Sequence, residues 1–169
     1  MEGRIDFFVG PIGQTISSTD LAVEKLFDHR RIVVARTGHP LADATTLAAL
    51  VDARWVRPAL SRSSEADFEE MFEAAGLPRP RIVLHTRSAL VTLLAVTNSD
   101  LLTILPQQWL EFPAALNQLV ALNIVQPLVA PPICIVRRRD LPLTPLAEHF
   151  CDLMRRVAGH YARRHRRSP

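Results

Sequence analysis

The sequence predicts an α/β fold, and two patterns carry that prediction. Short apolar runs that favour buried strands alternate along the chain with segments of helical periodicity. The apolar runs are continuous, as is typical of strands covered on both faces, so mainly parallel sheets are expected. With 169 residues, 48% of them hydrophobic, the chain is long enough for one ordinary core or two small ones.

Six strands are predicted from the apolar runs. Each is two to five residues long, and turn-forming or charged residues flank most of them. The predicted strands are Ile5–Val9, Ile32–Ala35, Trp55–Val56, Ile82–Leu84, Leu101–Leu105 and Ile133–Val136.

Three helices are predicted between and after the strands. The first spans Glu65–Ala75 with Ser63–Ser64 supplying its N-cap, and the second follows Ser88 and runs to about Thr97. The second helix is apolar nearly all round, so we expect it to be buried on several sides. The third begins at Pro145 with Thr144 as its cap. Its apolar stripe consists of Leu146, Phe150, Leu153, Met154, Val157 and Tyr161.

The net charge of +3 is concentrated in a C-terminal tail. Residues 159–169 contain four arginines and no acid, so the rest of the chain carries about −1. A basic tail can neutralise nucleic-acid phosphates, but a solvated, frayed helix end explains it better. The charge therefore does not predict a basic binding face on the fold.

The cysteines indicate the redox state of the chain, and its N-terminal and apolar segments indicate the cellular compartment. Cys134 and Cys151 lie in a strand-like and a helix-like segment and are expected to be buried, reduced thiols. The first residues do not resemble a secretory signal, and the longest apolar stretch, Ser88–Val96, is far shorter than the ~20 residues of a membrane span. A soluble, cytoplasmic protein is expected.

Two stretches are expected to mark domain boundaries. One is His29-Arg30-Arg31, directly before a strand, and the other is Gln126–Pro132, whose three prolines stiffen the backbone. The residues between them predict a compact unit, and the segments on either side would form one shared lobe.

His39 lies between a glycine and a proline after a predicted strand, where it could be a catalytic base, a metal ligand or a turn residue. No histidine, cysteine pair or acidic cluster stands at ligand spacing from it, whereas Gly38 and Pro40 both favour a turn. We interpret His39 as a turn residue.

Other motifs that carry chemistry are weak. No serine stands in a Gly-x-Ser-x-Gly context, and Gly10-Pro11-Ile12-Gly13 lacks the Lys-Ser/Thr of a phosphate loop, so we interpret it as a turn. The acids between Glu65 and Glu73 lie mostly opposite Phe68 and Phe72 and predict a solvated helix face. The sequence therefore predicts no enzyme, no metal site and no cofactor.

Five stretches, in order along the chain, resemble the effector-binding domain of LysR-type transcriptional regulators. Each motif alone is degenerate, but the series covers nearly the whole chain. The stretches are GRIDFFVG (3–10), RIVVARTGHPLA (31–42), LAALVDARWV (47–56), FEAAGLPRPRIVLHTRSALVTLLAVTNSDLLTILP (72–106) and RRRDLPLTPLAEHFCDLM (137–154).

The resemblance implies a two-lobed fold like that of type 2 periplasmic binding proteins. Residues 1–29 would be an N-terminal piece of the first lobe, 30–126 the second lobe, 127–158 the return to the first lobe and 159–169 the basic tail. Met1 falls where the family is already within this domain, so we expect an N-terminally truncated chain with an incomplete first lobe. The helix-turn-helix of such regulators would be absent, and strand Ile5–Val9 would lack a parallel neighbour.

The resemblance also implies a ligand site in a cleft between the lobes, where strand ends meet helix N-termini. Hydroxyls of Ser61, Thr86 and Ser88, with Arg62 or Arg87 as a charge partner, suit a small organic acid. Ser88 and Ser63–Ser64 are equally well explained as helix caps. The predicted ligand-binding residues are Gly10, Pro11, Ile12, Leu60, Ser61, Arg62, Thr86, Arg87 and Ser88.

Two functions follow from these expectations. In the first, a metabolite binds between the lobes and changes their relative orientation, which controls transcription in an intact regulator. In the second, the chain is an oligomerisation module that has not retained ligand binding. The expected partners are a small-molecule effector and further copies of the chain, with DNA bound only through a domain absent from this chain and no contact with a membrane.

Overall fold

The computed structural model describes residues 5–13, 19–58, 62–111, 117–128 and 130–165, with the backbone alone described for residues 62–67 and 165. These residues form a mixed α/β fold, in which strands and α-helices alternate over residues 54–106. The strands are β1 (Phe7–Pro11), β2 (Leu21–Phe27), β3 (Arg31–Arg36), β4 (Arg54–Pro58), β5 (Arg81–Thr86), β6 (Leu101–Pro106), β7 (Leu119–Leu122) and β8 (Ile133–Arg138). The helices are α1 (Arg62–Ala74), α2 (Ala89–Thr97) and α3 (Pro145–His165).

The chain divides into two compact units. Unit 1 combines Met1–His29 with Ala130–Pro169, and unit 2 is the continuous segment Arg30–Val129. Unit 1 is therefore discontinuous in sequence, because unit 2 is inserted between its two parts.

Unit 1 contains a three-stranded sheet and the long helix α3. β8 is the central strand and pairs antiparallel with both β1 and β2. Its residues Cys134, Ile135 and Val136 are buried, as expected for a strand with neighbours on both sides. The helix packs along β2, where the rings of Phe27 and Tyr161 lie 4.9 Å apart.

Unit 2 contains a five-stranded sheet in the order β5-β4-β6-β3-β7. Because side chains alternate along a strand, Trp55 and Val56 point to opposite faces of this sheet and join separate cores. On one face Trp55 packs edge-on against Phe68 and Phe72 of α1. On the other face Val56 packs in a cluster with Val96 of α2.

The expectation of mainly parallel sheets is wrong. Among the described residues, only the pairs β4–β5 and β4–β6 are parallel, whereas β1–β8, β2–β8, β3–β6 and β3–β7 are antiparallel. The strands β2 and β7, which the sequence did not predict, account for two of these antiparallel pairs. A continuous apolar run reports burial on both faces of a strand and carries no information on the direction of its neighbour.

The expectation for α2 is also wrong, because one side of this helix faces solvent. Thr92 and Val96 are fully buried, but Leu90, Val91 and Leu94 are 64%, 45% and 54% exposed. An apolar side chain on a helix is therefore no proof of a neighbour on that side.

In α3 the predicted apolar stripe matches the face that the sheet covers only in part: Met154 and Tyr161 are half-buried, and Tyr161 contacts Phe27 of β2. Leu146, Phe150, Leu153 and Val157 are exposed, and the buried positions are Ala147, Cys151 and Ala158. The small residues allow the helix to lie close to the sheet. Residues 159–165, predicted as the start of the basic tail, are the last turns of this helix.

Candidate functional site

A short turn joins the end of β5 to the start of α2 and holds three of the predicted ligand-binding residues. The Oγ1 atom of Thr86, which is buried, lies 3.1 Å from the backbone nitrogen of Ser88 and 3.3 Å from its carbonyl oxygen. The Oγ atom of Ser88 accepts a hydrogen bond from the N–H of Val91 at 3.4 Å, so Ser88 is the N-cap of α2. Arg87, between these two residues, is exposed.

This turn has the donors that an anion requires. Because the Oγ of Ser88 acts as acceptor toward Val91, its own hydroxyl proton stays available to donate to a ligand. The first N–H groups of any α-helix have no acceptor within the helix, and the helix dipole places a partial positive charge there. Capping by Ser88 and ligand contact by Ser88 are thus compatible, and Arg87 adds a full positive charge beside them.

The end of β4 lies next to the end of β5, since Pro58 is in register with Thr86 in the parallel pair. Arg57 precedes Pro58, and His85 precedes Thr86. Arg57 donates a hydrogen bond to Nδ1 of His85 at 3.2 Å and another to Glu69 of α1 at 3.2 Å. These bonds hold the two strand ends and the helix in one arrangement.

Three further predicted site residues follow β4. Leu60 and Ser61 lie outside the described residues. Arg62 is the first residue of α1, and only its backbone is described. Because α1 begins at Arg62, the predicted cap Ser63–Ser64 lies within its first turn instead.

The remaining predicted site residues, Gly10, Pro11 and Ile12, belong to unit 1. The interpretation of this segment as a turn is wrong, because Gly10 and Pro11 are the last residues of β1. The ladder continues beyond the strand, since the N–H of Ile12 donates to the carbonyl of Pro132 at 3.0 Å. Gly10 is covered by the ring of Phe8, whose nearest atom lies 2.5 Å from the place of a Cβ.

The structure confirms that His39 is a turn residue. Its Nδ1 accepts a hydrogen bond from the N–H of Leu41 at 2.9 Å, and its own N–H donates to the carbonyl of Arg36 at 3.2 Å. Gly38 supplies the positive φ of 70° that the turn needs. The buried imidazole thus replaces a backbone acceptor inside the turn.

Residues 1–159 match the family described as LysR substrate binding domain. The chain belongs to this family. Among curated relatives, the transcriptional regulator GalR of Pseudomonas putida is 29% identical over 161 residues, which are 95% of this chain and 41% of GalR. TdcA of Escherichia coli K12 is 24% identical over 165 residues, 98% of this chain and 52% of TdcA. This LysR substrate-binding domain thus spans about half the length of the curated relatives it matches.

Solved effector-binding domains share the fold of this LysR substrate-binding domain. The regulatory domain of Synechocystis CcmR, in complex with 2-PG, matches with a TM-score of 0.76 at 19% identity, over 92% of this chain and 74% of that one. The effector-binding domain of BenM, with benzoate, matches with a TM-score of 0.70 at 20% identity, over 95% and 72%. The predicted type 2 periplasmic-binding-protein-like class is therefore confirmed.

The relatives are named as transcriptional regulators and not as enzymes, which agrees with the prediction of no catalytic activity. Among the described residues of this LysR substrate-binding domain, no three His, Cys, Asp or Glu side chains are grouped so that they could hold a metal ion. Nor does any helix in the described ranges combine the length and apolar character that crossing a bilayer requires.

Both cysteines of this LysR substrate-binding domain are buried free thiols, as predicted. Burial raises the pKa of Cys134 and Cys151, because a thiolate loses hydration in an apolar surrounding. Neither thiol is activated for nucleophilic chemistry.

Sequence reasoning missed a pocket in unit 2 at Arg30 and Arg31. In the sequence these residues indicate a domain boundary only. The signal for the pocket is the pair of arginines beside an apolar strand, but its other walls come from residues about 75 to 95 positions further along the chain.

Proposed function

We propose that this chain is the effector-binding domain of a LysR-type transcriptional regulator and binds a small organic acid between its two lobes. The acid would contact the residues predicted from the sequence, namely Gly10, Pro11, Ile12, Leu60, Ser61, Arg62, Thr86, Arg87 and Ser88. In the intact regulator, a helix-turn-helix domain outside this chain would bind DNA in the cytoplasm, and copies of the regulator would associate.

The turn Thr86–Ser88 carries this proposal. The hydroxyl of Ser88 and the N–H groups that open α2 stand at the end of β5, and the exposed residue Arg87 precedes Ser88 in the sequence. A charge-assisted hydrogen bond to a carboxylate contributes roughly 1.5–3 kcal/mol, so two or three of them suffice for micromolar to millimolar binding. A neutral sugar would use the hydroxyl but not the positive charge.

The relatives support a carboxylate ligand. The effector-binding domain of QuiR is described in complex with shikimate and that of BenM with benzoate, and both compounds are carboxylic acids. At 17% and 20% identity these structures share the fold alone, so the particular acid cannot be carried over to this chain.

The test is calorimetric titration of the 169-residue chain with a panel of small carboxylates, each paired with its neutral amide. We expect at least one acid to bind and its amide to bind at least tenfold more weakly. Ser88→Asp keeps the N-cap but puts a negative charge where the carboxylate would lie, so it should retain the melting temperature and lose binding. Ser88→Ala should lower the melting temperature and weaken binding less.

Arg87→Gln should weaken binding of the acid about tenfold or more, and Arg81→Gln is its matched control. Arg81 is an exposed arginine at the opposite end of the same strand, so its replacement changes the net charge equally. Equal losses in both variants, or undiminished binding by Ser88→Asp, would contradict a carboxylate at this turn.

The second candidate is the oligomerisation module. The exposed side of α2 favours it, because Leu90, Val91 and Leu94 are exposed apolar side chains and Val83 is exposed on β5, an edge strand of the same unit. A second copy of the chain could cover this apolar surface. Sedimentation equilibrium should then show a dimer that Leu94→Glu dissociates, while Leu146→Glu, at an exposed leucine of unit 1, leaves it intact. A monomeric wild-type chain would exclude this role.

A further inference from the structure

A pocket of about 600 Å³ opens in unit 2 at the end of the sheet where β6 and β7 finish and β3 begins. Its lining comes from two segments, residues 30–32 at the start of β3 and residues 121–128 at and after the end of β7, together with Gln107 and Leu110 of the 3-10 helix Gln107–Glu111. The residues used below are Arg30, Arg31, Ile32, Gln107, Asn123 and Leu128.

The pocket is separate from the turn at Thr86. In the sheet order β5-β4-β6-β3-β7, Thr86 ends the strand at one edge, while the pocket lies at β3 and at β7, the other edge. Neighbouring strands are about 4.8 Å apart, so three to four spacings separate the two places by roughly 14–19 Å. One small acid cannot fill both.

Arg30 gives the pocket a positive charge. None of the described residues that line the pocket is an aspartate or glutamate. Two other arginines of this unit form ion pairs: Arg36 lies 2.6 Å from Asp100 and Arg57 lies 3.2 Å from Glu69. Arg30 is exposed and forms no such ion pair with any residue that the structure describes.

The walls of the pocket are held in place before any ligand binds. The N–H of Gln107 donates to the carbonyl of Arg30 at 2.9 Å, and the N–H of Val125 donates to Thr45 at 2.9 Å. The side chain of Gln126 accepts from the N–H of Leu47 at 3.1 Å. Such pre-organisation lowers the entropic cost of binding.

The inner wall of the pocket is apolar. Ile32 and Leu128 are half-buried and pack against the two cores of unit 2, one on each. Leu122, which also lines the pocket, is buried. A ligand with an apolar body can therefore cover this wall. Gln107 and Asn123, which also line the pocket, are exposed and add side-chain amides to it.

From this combination we propose that unit 2 has a second binding site, for a small carboxylic acid with an apolar body, whose carboxylate pairs with Arg30. The ligand would touch both ends of unit 2, because Arg30 is its first residue and Leu128 precedes its last.

The test uses the 169-residue chain and cyclohexanecarboxylate, with cyclohexanecarboxamide as the uncharged compound of the same shape. Binding is followed by amide shifts in nitrogen–proton NMR spectra. We expect the acid to shift Ile32, Gln107 and Asn123, and Arg30→Gln to weaken it about tenfold or more. Ala121→Phe, which fills the pocket from β7, should also abolish these shifts.

Arg54→Gln is the control, because Arg54 is exposed at the other end of the sheet, in register with the first residue of β6. Ser88→Asp should leave the pocket shifts unchanged, so the two sites are told apart. Shifts confined to Thr86–Leu90 would overturn the second site and leave the proposed function standing. Equal binding of the acid and the amide would also overturn the second site. So would the absence of shifts at the pocket residues with about 10 mM acid, a concentration on the order of the weakest dissociation constant that is of interest.

Discussion

The guanidinium of Arg155 on α3 binds both carboxylate oxygens of Glu24 on β2, with Nε–Oε1 and Nη2–Oε2 distances of 2.8 Å each. Its remaining nitrogen, Nη1, lies 2.6 Å from a carboxylate oxygen of Asp152, one turn earlier on the same helix. This two-pronged pair fixes the helix of unit 1 to its sheet with a defined orientation.

Glu24→Gln should make stability less dependent on pH in the acid range. The hydrogen bond from Arg155 is the main cause that lowers the pKa of Glu24 in the folded chain. A lowered pKa stabilises the fold above the ordinary glutamate value of about 4.3, and this contribution disappears as the pH falls through the lowered value. Both side chains are partly exposed, so we expect a loss of about 0.5–1 kcal/mol at pH 7.

Urea unfolding of the wild type and Glu24→Gln at pH 7 and at pH 3 measures this difference. The gap should be present at pH 7 and should shrink in acid. Glu70→Gln, at an exposed glutamate of α1, is the control and should stay within about 0.5 kcal/mol of the wild type. A gap that grows in acid would show that Glu24 is not held in its charged form.

His39→Ala should destabilise the fold by about 1–2 kcal/mol, since the N–H of Leu41 loses its acceptor in a buried turn. His39→Asn should recover most of this loss, because an asparagine side chain can accept from the backbone two residues on. Thermal unfolding measures both, and neither variant should change ligand affinity. A loss of binding at full stability would instead give His39 a part in the site.

Gly10→Ala should cost about 1 kcal/mol, because the new Cβ would meet the ring of Phe8 at 2.5 Å. The ring is half exposed and can swing outward, which keeps the cost small. In a Phe8→Ala background the same change should cost almost nothing, and a double-mutant cycle by urea unfolding measures the coupling. If the two substitutions changed the free energy of unfolding additively, the loss in Gly10→Ala would come from the backbone and not from contact with Phe8.

Phe72→Ala should destabilise the fold by about 3–5 kcal/mol. Phe72 is fully buried, and its ring meets that of Trp55 at 5.5 Å and 86°. Unfolding followed by tryptophan fluorescence detects both the loss and the changed surroundings of Trp55. Leu94→Ala on the exposed side of α2 is the matched control, with an expected change below about 0.5 kcal/mol.

The helix starts could be predicted because capping is local. Thr144 accepts from the N–H of Ala147 at 3.2 Å, and Ser88 caps α2, both as the sequence indicates. Local signals were also sufficient for His39, whose turn is built from neighbouring residues. At α1 the helix starts at Arg62, three residues before the predicted Glu65, which moves the serine pair into the helix.

Strand partners and buried faces could not be predicted, because they depend on residues far away in sequence. The charged residues Glu24 and Lys25 in the middle of β2 interrupt its apolar pattern, so the strand was not predicted. Its partner β8 lies about 110 residues later in the sequence. In α3 two apolar rows, each with spacings of four, three and four, lie side by side. The sequence shows both rows, but only the sheet decides that 147, 151, 154 and 158 face inward. The pocket at Arg30 was missed for the same reason.

The insertion of unit 2 between the parts of unit 1 sets an order for folding on the ribosome. Phe27 ends β2, and β8, the strand that pairs with both β1 and β2, begins only at Ile133. At ordinary rates of synthesis the intervening residues take roughly 5–20 s to emerge, and unit 2 is complete within that time. The nascent chain therefore carries β1 and β2 without their common partner β8 during this time, and a chaperone that shields the edges left open would raise the yield of native protein.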